Sequence, residues 1–155
     1  MQEKTPEDVA RAFYDAFTSH DGDRMASLYS DDISFSDPIF PGLVGRDARA
    51  MWQMLCKRAP DLKVDYEVLK VEGQSVTVRW DAHYTFATTG RHVHNIVQAT
   101  LEIRDGLIHQ HTDRFSFWWW SAQALGPVGF FFGWSGVLKS KVQAQGRMSL
   151  DKFLA

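Results

Sequence analysis

The spacing of apolar residues shifts from a mainly helical to a strand period at Pro60, and that shift limits the fold more than any other feature of the 155 residues. Before it, apolar side chains recur every three or four positions: Val9, Phe13, Ala16 and Phe17, then Met25, Leu28 and Tyr29, then Met51, Trp52 and Leu55. Such spacing lays one buried stripe along each of three helices. The first starts at Thr5-Pro6-Glu7-Asp8, with Thr5 as cap, proline at the first helical position and acids against the positive end of the helix dipole. The second follows the break at His20-Asp21-Gly22, and the third runs from about Arg46 to Arg58. Beyond Pro60 the period becomes two. Segments 63–72, 75–88, 91–104 and 107–118 are rich in β-branched and aromatic residues and are split by Glu72-Gly73, Thr89-Gly90 and Asp105-Gly106. Four antiparallel strands joined by hairpins are expected. A shorter strand, Ile33 to Asp37, is ended by Pro38. Three helices followed by a curved antiparallel sheet make an α+β domain, and a chain of this length has room for one core.

Charge and cysteine content exclude several classes of function. Seventeen Lys and Arg against nineteen Asp and Glu leave no excess to neutralise phosphates, so nucleic acid is not an expected partner. One cysteine, Cys56, excludes an internal disulfide and a thiolate zinc cluster. The amino-terminal MQEKTPEDVARAF lacks the apolar core of a secretory signal, and a cytoplasmic location is expected. Phe115 to Leu138 carries no charge and is long enough to span a bilayer, but four glycines and Pro127 break it in the middle.

The run Tyr29-Ser30-Asp31-Asp32-Ile33-Ser34-Phe35-Ser36-Asp37-Pro38, then Gly45, then the hairpin Asp105-Gly106-Leu107-Ile108, resembles the nuclear transport factor 2-like superfamily in its SnoaL-like, ketosteroid isomerase-like and limonene epoxide hydrolase-like branch. The resemblance covers about Pro6 to Phe117. It implies a cone in which the sheet curls around helix faces and encloses an apolar cavity. Function then depends on what lines that cavity.

On the strand 91–104 the set Val93, Val97, Ala99, Leu101 and Ile103 is apolar, and alternation turns it inward. The next strand has two registers. A three-residue turn, Arg104-Asp105-Gly106, pairs Ile103 with Leu107 and sends His109, His111, Asp113 and Phe115 inside. A two-residue turn, Asp105-Gly106, sends Ile108, Gln110, Thr112 and Arg114 inside instead. The resemblance favours the first, because limonene epoxide hydrolase and SnoaL-like cyclases carry a catalytic aspartate on this strand, and Asp113 is similar in placement.

Arg79-Trp80-Asp81 resembles the arginine-x-aspartate pair that completes an Asp, Arg, Asp triad in limonene epoxide hydrolase. A Thr88-Thr89-Gly90 loop would set Asp81 across from Val97, itself across from Asp113. Pattern alone, however, turns Val76, Val78, Trp80, Ala82 and Tyr84 inward and leaves Arg79 and Asp81 in a solvated pair. Asp37 matches in position the general base of ketosteroid isomerase, a system whose tuned carboxylates are well known. The remaining machinery of that enzyme is unmatched: Phe13 stands where its oxyanion tyrosine falls, with Tyr14 one place over, and Ala99 replaces its protonated aspartate. The water-holding tyrosine and asparagine of the epoxide hydrolase correspond to Phe35 and Asp37. Histidines at 83, 92, 94, 109 and 111 do not converge in the favoured register, so no metal and no cofactor are expected.

Two functions follow. One is cofactor-free isomerisation, cyclisation or hydrolysis of a small apolar molecule by Asp113 and Asp37, with Arg79 and Asp81, in a pocket of Phe13, Tyr14, Phe35, Trp52, Val97, His111 and Phe115. The alternative is a non-catalytic binding module of the same fold. Residues 1–120 form the SnoaL-like domain, and 121–155 an aromatic, partly helical extension packing on that domain or on a dimer partner. A homodimer is the expected destination of the aromatic segment, and contact with a membrane surface the second.

Overall fold

A computed structural model describes residues 4–155; Met1, Gln2 and Glu3, the start of the charged amino terminus, lie outside the described residues. Helix α1 (Pro6–Thr18) opens on a capping box, in which Thr5 Oγ1 accepts the Asp8 N–H and the Asp8 carboxylate accepts the Thr5 N–H, both at 3.1 Å. Its inner side buries Val9, Ala10, Phe13, Tyr14, Ala16 and Phe17. Phe13 and Tyr14 are both enclosed, because the sheet curls around more than one face of the helix. Helix α2 (Gly22–Ser27) is short. Tyr29, expected on it, instead begins strand β1 (Tyr29–Ser36). Strand β2 (Leu43–Val44) and helix α3 (Arg46–Arg58) follow.

Strands β3 (Lys63–Glu72), β4 (Ser75–Phe86), β5 (Arg91–Arg104) and β6 (Leu107–Arg114) form the expected meander. The sheet is curved and unclosed, in the order β2-β1-β6-β5-β4-β3. It is mixed rather than wholly antiparallel: β1 runs parallel to β6, which places Phe35 beside His111.

The β5–β6 hairpin settles which residues face in, and it combines both registers open to the sequence. Asp105 (φ 53°) and Gly106 (φ 76°) form a two-residue turn of the primed type, so Arg104 pairs with Leu107 and Ile103 with Ile108. One residue later Glu102 pairs with Gln110, which leaves His109 as an extra residue on β6. This bulge reverses the alternation. Ile108 faces in before it, and His111 and Asp113 face in after it, each buried. The register is therefore displaced from the expected one: Asp113 lies across from Ala99, not Val97.

Between the sheet and helices α1 and α3 the core is aromatic. Trp52 meets Phe13, Phe17 and Phe35 edge-on at ring distances of 5.1 to 5.7 Å, and Phe17 meets Trp80 at 5.3 Å. Burying each such side chain is worth about 1.5–3 kcal/mol, and edge-on packing adds to it.

Strand β6 ends at Arg114, four residues earlier than its composition suggests. Ser116 Oγ accepts the Trp119 N–H at 3.2 Å and starts helix α4 (Phe117–Leu125). Helix α5 (Pro127–Phe132) packs directly on α4; a Cβ at Gly129 would stand 1.8 Å from the Ser121 carbonyl oxygen, so only glycine permits the approach. Helix α6 (Gly136–Leu154) returns across α3. Leu150 is fully buried in the main core, Gln143 donates to the Pro38 carbonyl at 3.0 Å, and Arg147 bonds Asp47 at 2.9 Å. No helix among the described residues is long and apolar enough to cross a membrane.

Candidate active site

Asp37 follows β1 at the open end of the sheet. Its Oδ1 accepts the backbone N–H groups of Ile39 at 2.7 Å and Phe40 at 2.6 Å, an Asx turn imposed by Pro38 and the chain reversal after it. That leaves Oδ2 with no hydrogen-bond partner among the described residues. Asp37 and Asp113 line one cavity of about 120 Å³, together with Trp52, Trp80, Tyr84 and Asn95 and with apolar residues of α3 and α4. Burial lifts the Asp37 carboxyl from 3.8 to about 6; the two N–H bonds oppose the rise, and the charge of Asp113 adds to it.

Asp113 heads a buried chain of hydrogen bonds. His111 Nε2 lies 2.8 Å from Asp113 Oδ1, the Tyr29 hydroxyl 2.7 Å from His111 Nδ1, and Trp52 Nε1 donates to the Tyr29 oxygen at 2.7 Å. The indole is only a donor, so the tyrosine oxygen accepts from it and spends its hydrogen on Nδ1. An imidazole with its proton on Nε2 then satisfies every member and gives that N–H to Asp113 Oδ1. Tyr14 Oη stands 3.5 Å from the same Nε2. Burial holds the hydroxyls of Tyr14 and Tyr29 well above the ordinary tyrosine value, with Asp113 adding to both, so neither is a proton source near neutrality.

Trp80, Tyr84 and Asn95, all residues of the cavity wall, carry polar side-chain atoms. Trp80 Nε1 is buried with no hydrogen-bond partner among the described residues. Tyr84 Oη accepts Trp120 Nε1 at 2.8 Å and keeps its own hydrogen to give. Asn95, buried on the inward side of β5 between Val93 and Val97, adds an amide. An unmet buried donor such as Trp80 Nε1 is costly.

Among the residues expected at the site, Asp37, Asp113, Trp52 and Phe115 reach the cavity wall. Phe13, Tyr14, Phe35, Val97 and His111 do not; they are buried in the core below it, because the ring cluster fills the interior and leaves open space only at the end of the sheet. Arg79 and Asp81 are not brought to the cavity at all. The β4–β5 connection has four residues, Ala87 to Gly90, so Asp81 pairs with Ile96 on the outer face, where Arg79 Nη2 meets Asp81 Oδ2 at 3.3 Å. The expected triad is absent from this geometry. Missed by the sequence reading were Tyr29 as a relay and Trp80, Tyr84, Asn95 and Trp120 as wall. Asn95 had a signal: it is the one polar residue at an inward position of β5. His83 stacks on His94 at 3.9 Å on the outer face, away from His111, and no group of three or more metal-ligating side chains is gathered among the described residues.

A wider vestibule of about 320 Å³ shares Ile39, Phe40, Met54, Leu55, Tyr84 and Trp120 with the inner cavity. Val142, Gln145, Gly146 and Ser149 of α6 form its far wall, so the carboxy-terminal helix frames the entrance.

Comparison with known proteins agrees with this architecture. A family model described as a SnoaL-like domain matches residues 10–111. A candidate polyketide cyclase from Xanthomonas campestris superposes with a TM-score of 0.67 at 23% identity, over 77% of this chain and 96% of that one. A Catenulispora acidiphila protein of ketosteroid isomerase-like fold, solved with trimethylamine, gives 0.67 at 19% identity over 80% and 96%. An M. tuberculosis LEH-like epoxide hydrolase gives 0.61 at 19% over 79% and 92%. At these identities the structural likeness speaks for the fold alone. No curated protein matches the chain.

Proposed function

Because the chain belongs to the SnoaL-like domain family of the nuclear transport factor 2-like fold, we propose that it is a proton-transfer enzyme of the isomerase or cyclase kind, acting on a small apolar, ring-sized carbonyl compound. The observation that carries this reading is the convergence of two unlike carboxyls, Asp37 lifted to about 6 and Asp113 paired with His111, on one apolar cavity that Asn95 and Tyr84 also line.

The chemistry needs no cofactor. Ionised Asp113 takes a proton from the carbon beside the carbonyl; the C–H electron pair becomes the enolate double bond and the carbonyl pair moves onto oxygen. The Asn95 amide on the cavity wall is the donor for that oxygen, and stabilisation of this kind is usually worth more than any other term in such reactions. Protonated Asp37 then gives its proton to a second carbon, and the proton now on Asp113 passes to Asp37 across the cavity they share, which restores the starting state. A carboxyl near 6 is suited to both directions of transfer at neutral pH. Hydrolysis in the manner of the epoxide hydrolase is less well supported, since Arg79 and Asp81 lie outside and Phe35 has no hydroxyl to hold water. A binding module draws on one observation: Asp113 is only 3% exposed and already paired, as a purely structural carboxylate would be.

Exchange of the α-hydrogens of cyclohexanone and 2-tetralone with D2O, followed by NMR, separates the two. An enzyme accelerates exchange, and Asp113→Asn or Asp37→Asn reduces the acceleration by about 100-fold or more. Exchange at the buffer rate with wild-type protein, or unchanged in both variants, would overturn the catalytic reading.

A further inference from the structure

From Phe115 to Leu150 the chain contains no acid, yet it includes Lys139, Lys141 and Arg147, in a protein whose formal net charge is −2. The same stretch holds the largest exposed apolar side chains. Phe130, Phe131, Phe132 and Trp134 are each more than half exposed, Trp134 at 77%, and Trp119 and Val137 stand beside them in the same condition. Arg147 is engaged by Asp47 and Asp151, whereas Lys139 and Lys141 are exposed and make no ion pair among the described residues.

We propose that the α4–α5 tip is a docking surface for an anionic lipid bilayer, with its aromatic rings in the headgroup region and Lys139 and Lys141 against the lipid phosphates. Two features select lipid over a second copy of the chain. Successive helical residues are about 100° apart, so Phe130, Phe131 and Phe132 exposed together cover more than half the circumference of α5. A flat isologous contact buries one face of a helix and leaves the others wet, whereas a bilayer surrounds a tip from all sides. The charge carried by this stretch is also of one sign, complementary to anionic headgroups, and aromatic insertion together with basic side chains is the paired signal that reversible membrane binding requires. Leu125 and Trp120 of α4 line the vestibule, so docking by this tip would bring the cavity entrance near the lipid.

Flotation of the full chain with vesicles tests this directly. The protein is expected to float with phosphatidylglycerol-containing vesicles at low salt, to float at least several-fold less with pure phosphatidylcholine, and to be released as salt rises. The double substitution Phe131→Ser, Phe132→Ser, with circular dichroism and melting unchanged, should reduce flotation about tenfold, and Lys139→Glu with Lys141→Glu should remove the preference for anionic lipid. Protein that stays in the soluble fraction with both lipids would overturn the proposal. So would a dimer in buffer that the phenylalanine substitutions split into monomers, since the patch would then belong to a second copy.

Discussion

His111 Nε2 lies 2.8 Å from Asp113 Oδ1 with both side chains closed off from solvent, and the rings of Phe13 and Phe35 stand edge-on to the imidazole at 5.5 and 5.0 Å. This single bond joins the cavity to the core: on one side of it is the carboxylate that lines the cavity, on the other the Tyr29–Trp52 hydrogen bond. Its removal has a definite cost. His111→Ala leaves Asp113 buried without its partner and a void among aromatic rings, and the expected loss is about 3–5 kcal/mol. Urea unfolding checks it; a loss below about 1 kcal/mol would mean that Asp113 finds another partner.

Asp37 makes the fold sensitive to pH in a direction opposite to that of most acids. Its carboxyl is raised from 3.8 to about 6 in the folded chain, so the folded state binds this proton more tightly than the unfolded state. The stabilisation is complete below about pH 4 and is lost as pH rises through about 6, by at most roughly 3 kcal/mol at 1.36 kcal/mol per unit. Asp37→Asn keeps an oxygen for the Ile39 and Phe40 N–H groups and should abolish that slope, making the variant more stable than wild type above pH 7. Melting temperatures from pH 4 to 8 report both effects.

Arg79→Ala should leave activity and the titration of Asp37 unchanged. The guanidinium is half exposed on the outer face, bonded to Asp81 at 3.3 Å, and exposed pairs of this kind contribute roughly 0–1 kcal/mol. A large fall in exchange rate for this variant would place Arg79 in the reaction after all.

Helix α6 is held by Leu150, which is fully buried against the main core. Leu150→Ala should cost about 2–5 kcal/mol by chemical denaturation. It should also loosen the wall of the vestibule formed by Val142, Gln145 and Gly146, seen as faster backbone amide exchange in α6 than in β5.

Much of this architecture is legible in the residues. The Thr5-Pro6 start, the 46–58 helix and three of the four long strands follow from capping chemistry and apolar period, because each is a local rule. What local rules do not carry is register. The inward placing of Asp113 needed the His109 bulge, and nothing in Ile108-His109-Gln110-His111 distinguishes a bulged strand from a regular one. The four-residue β4–β5 loop, one residue longer than expected, by itself moves Asp81 from opposite Val97 to opposite Ile96. Tyr29 is ambiguous in the sequence, because its spacing from Met25 suits a helix as well as the start of a strand. The cavity wall is hidden for another reason: Trp80 and Tyr84 count as apolar in an alternation pattern, although each carries a polar atom.

The shared cavity of Asp37 and Asp113 is tested most directly by ¹³C NMR titration of the Asp37 carboxyl in wild type and in Asp113→Asn. Wild-type Asp37 is expected to titrate near 6, and replacing the neighbouring carboxylate by a neutral amide should lower that value, since the charge of Asp113 is one of the causes that raise it. A value of about 4, the same in both proteins, would mean that the two groups do not share a cavity and that the acid–base pair does not exist.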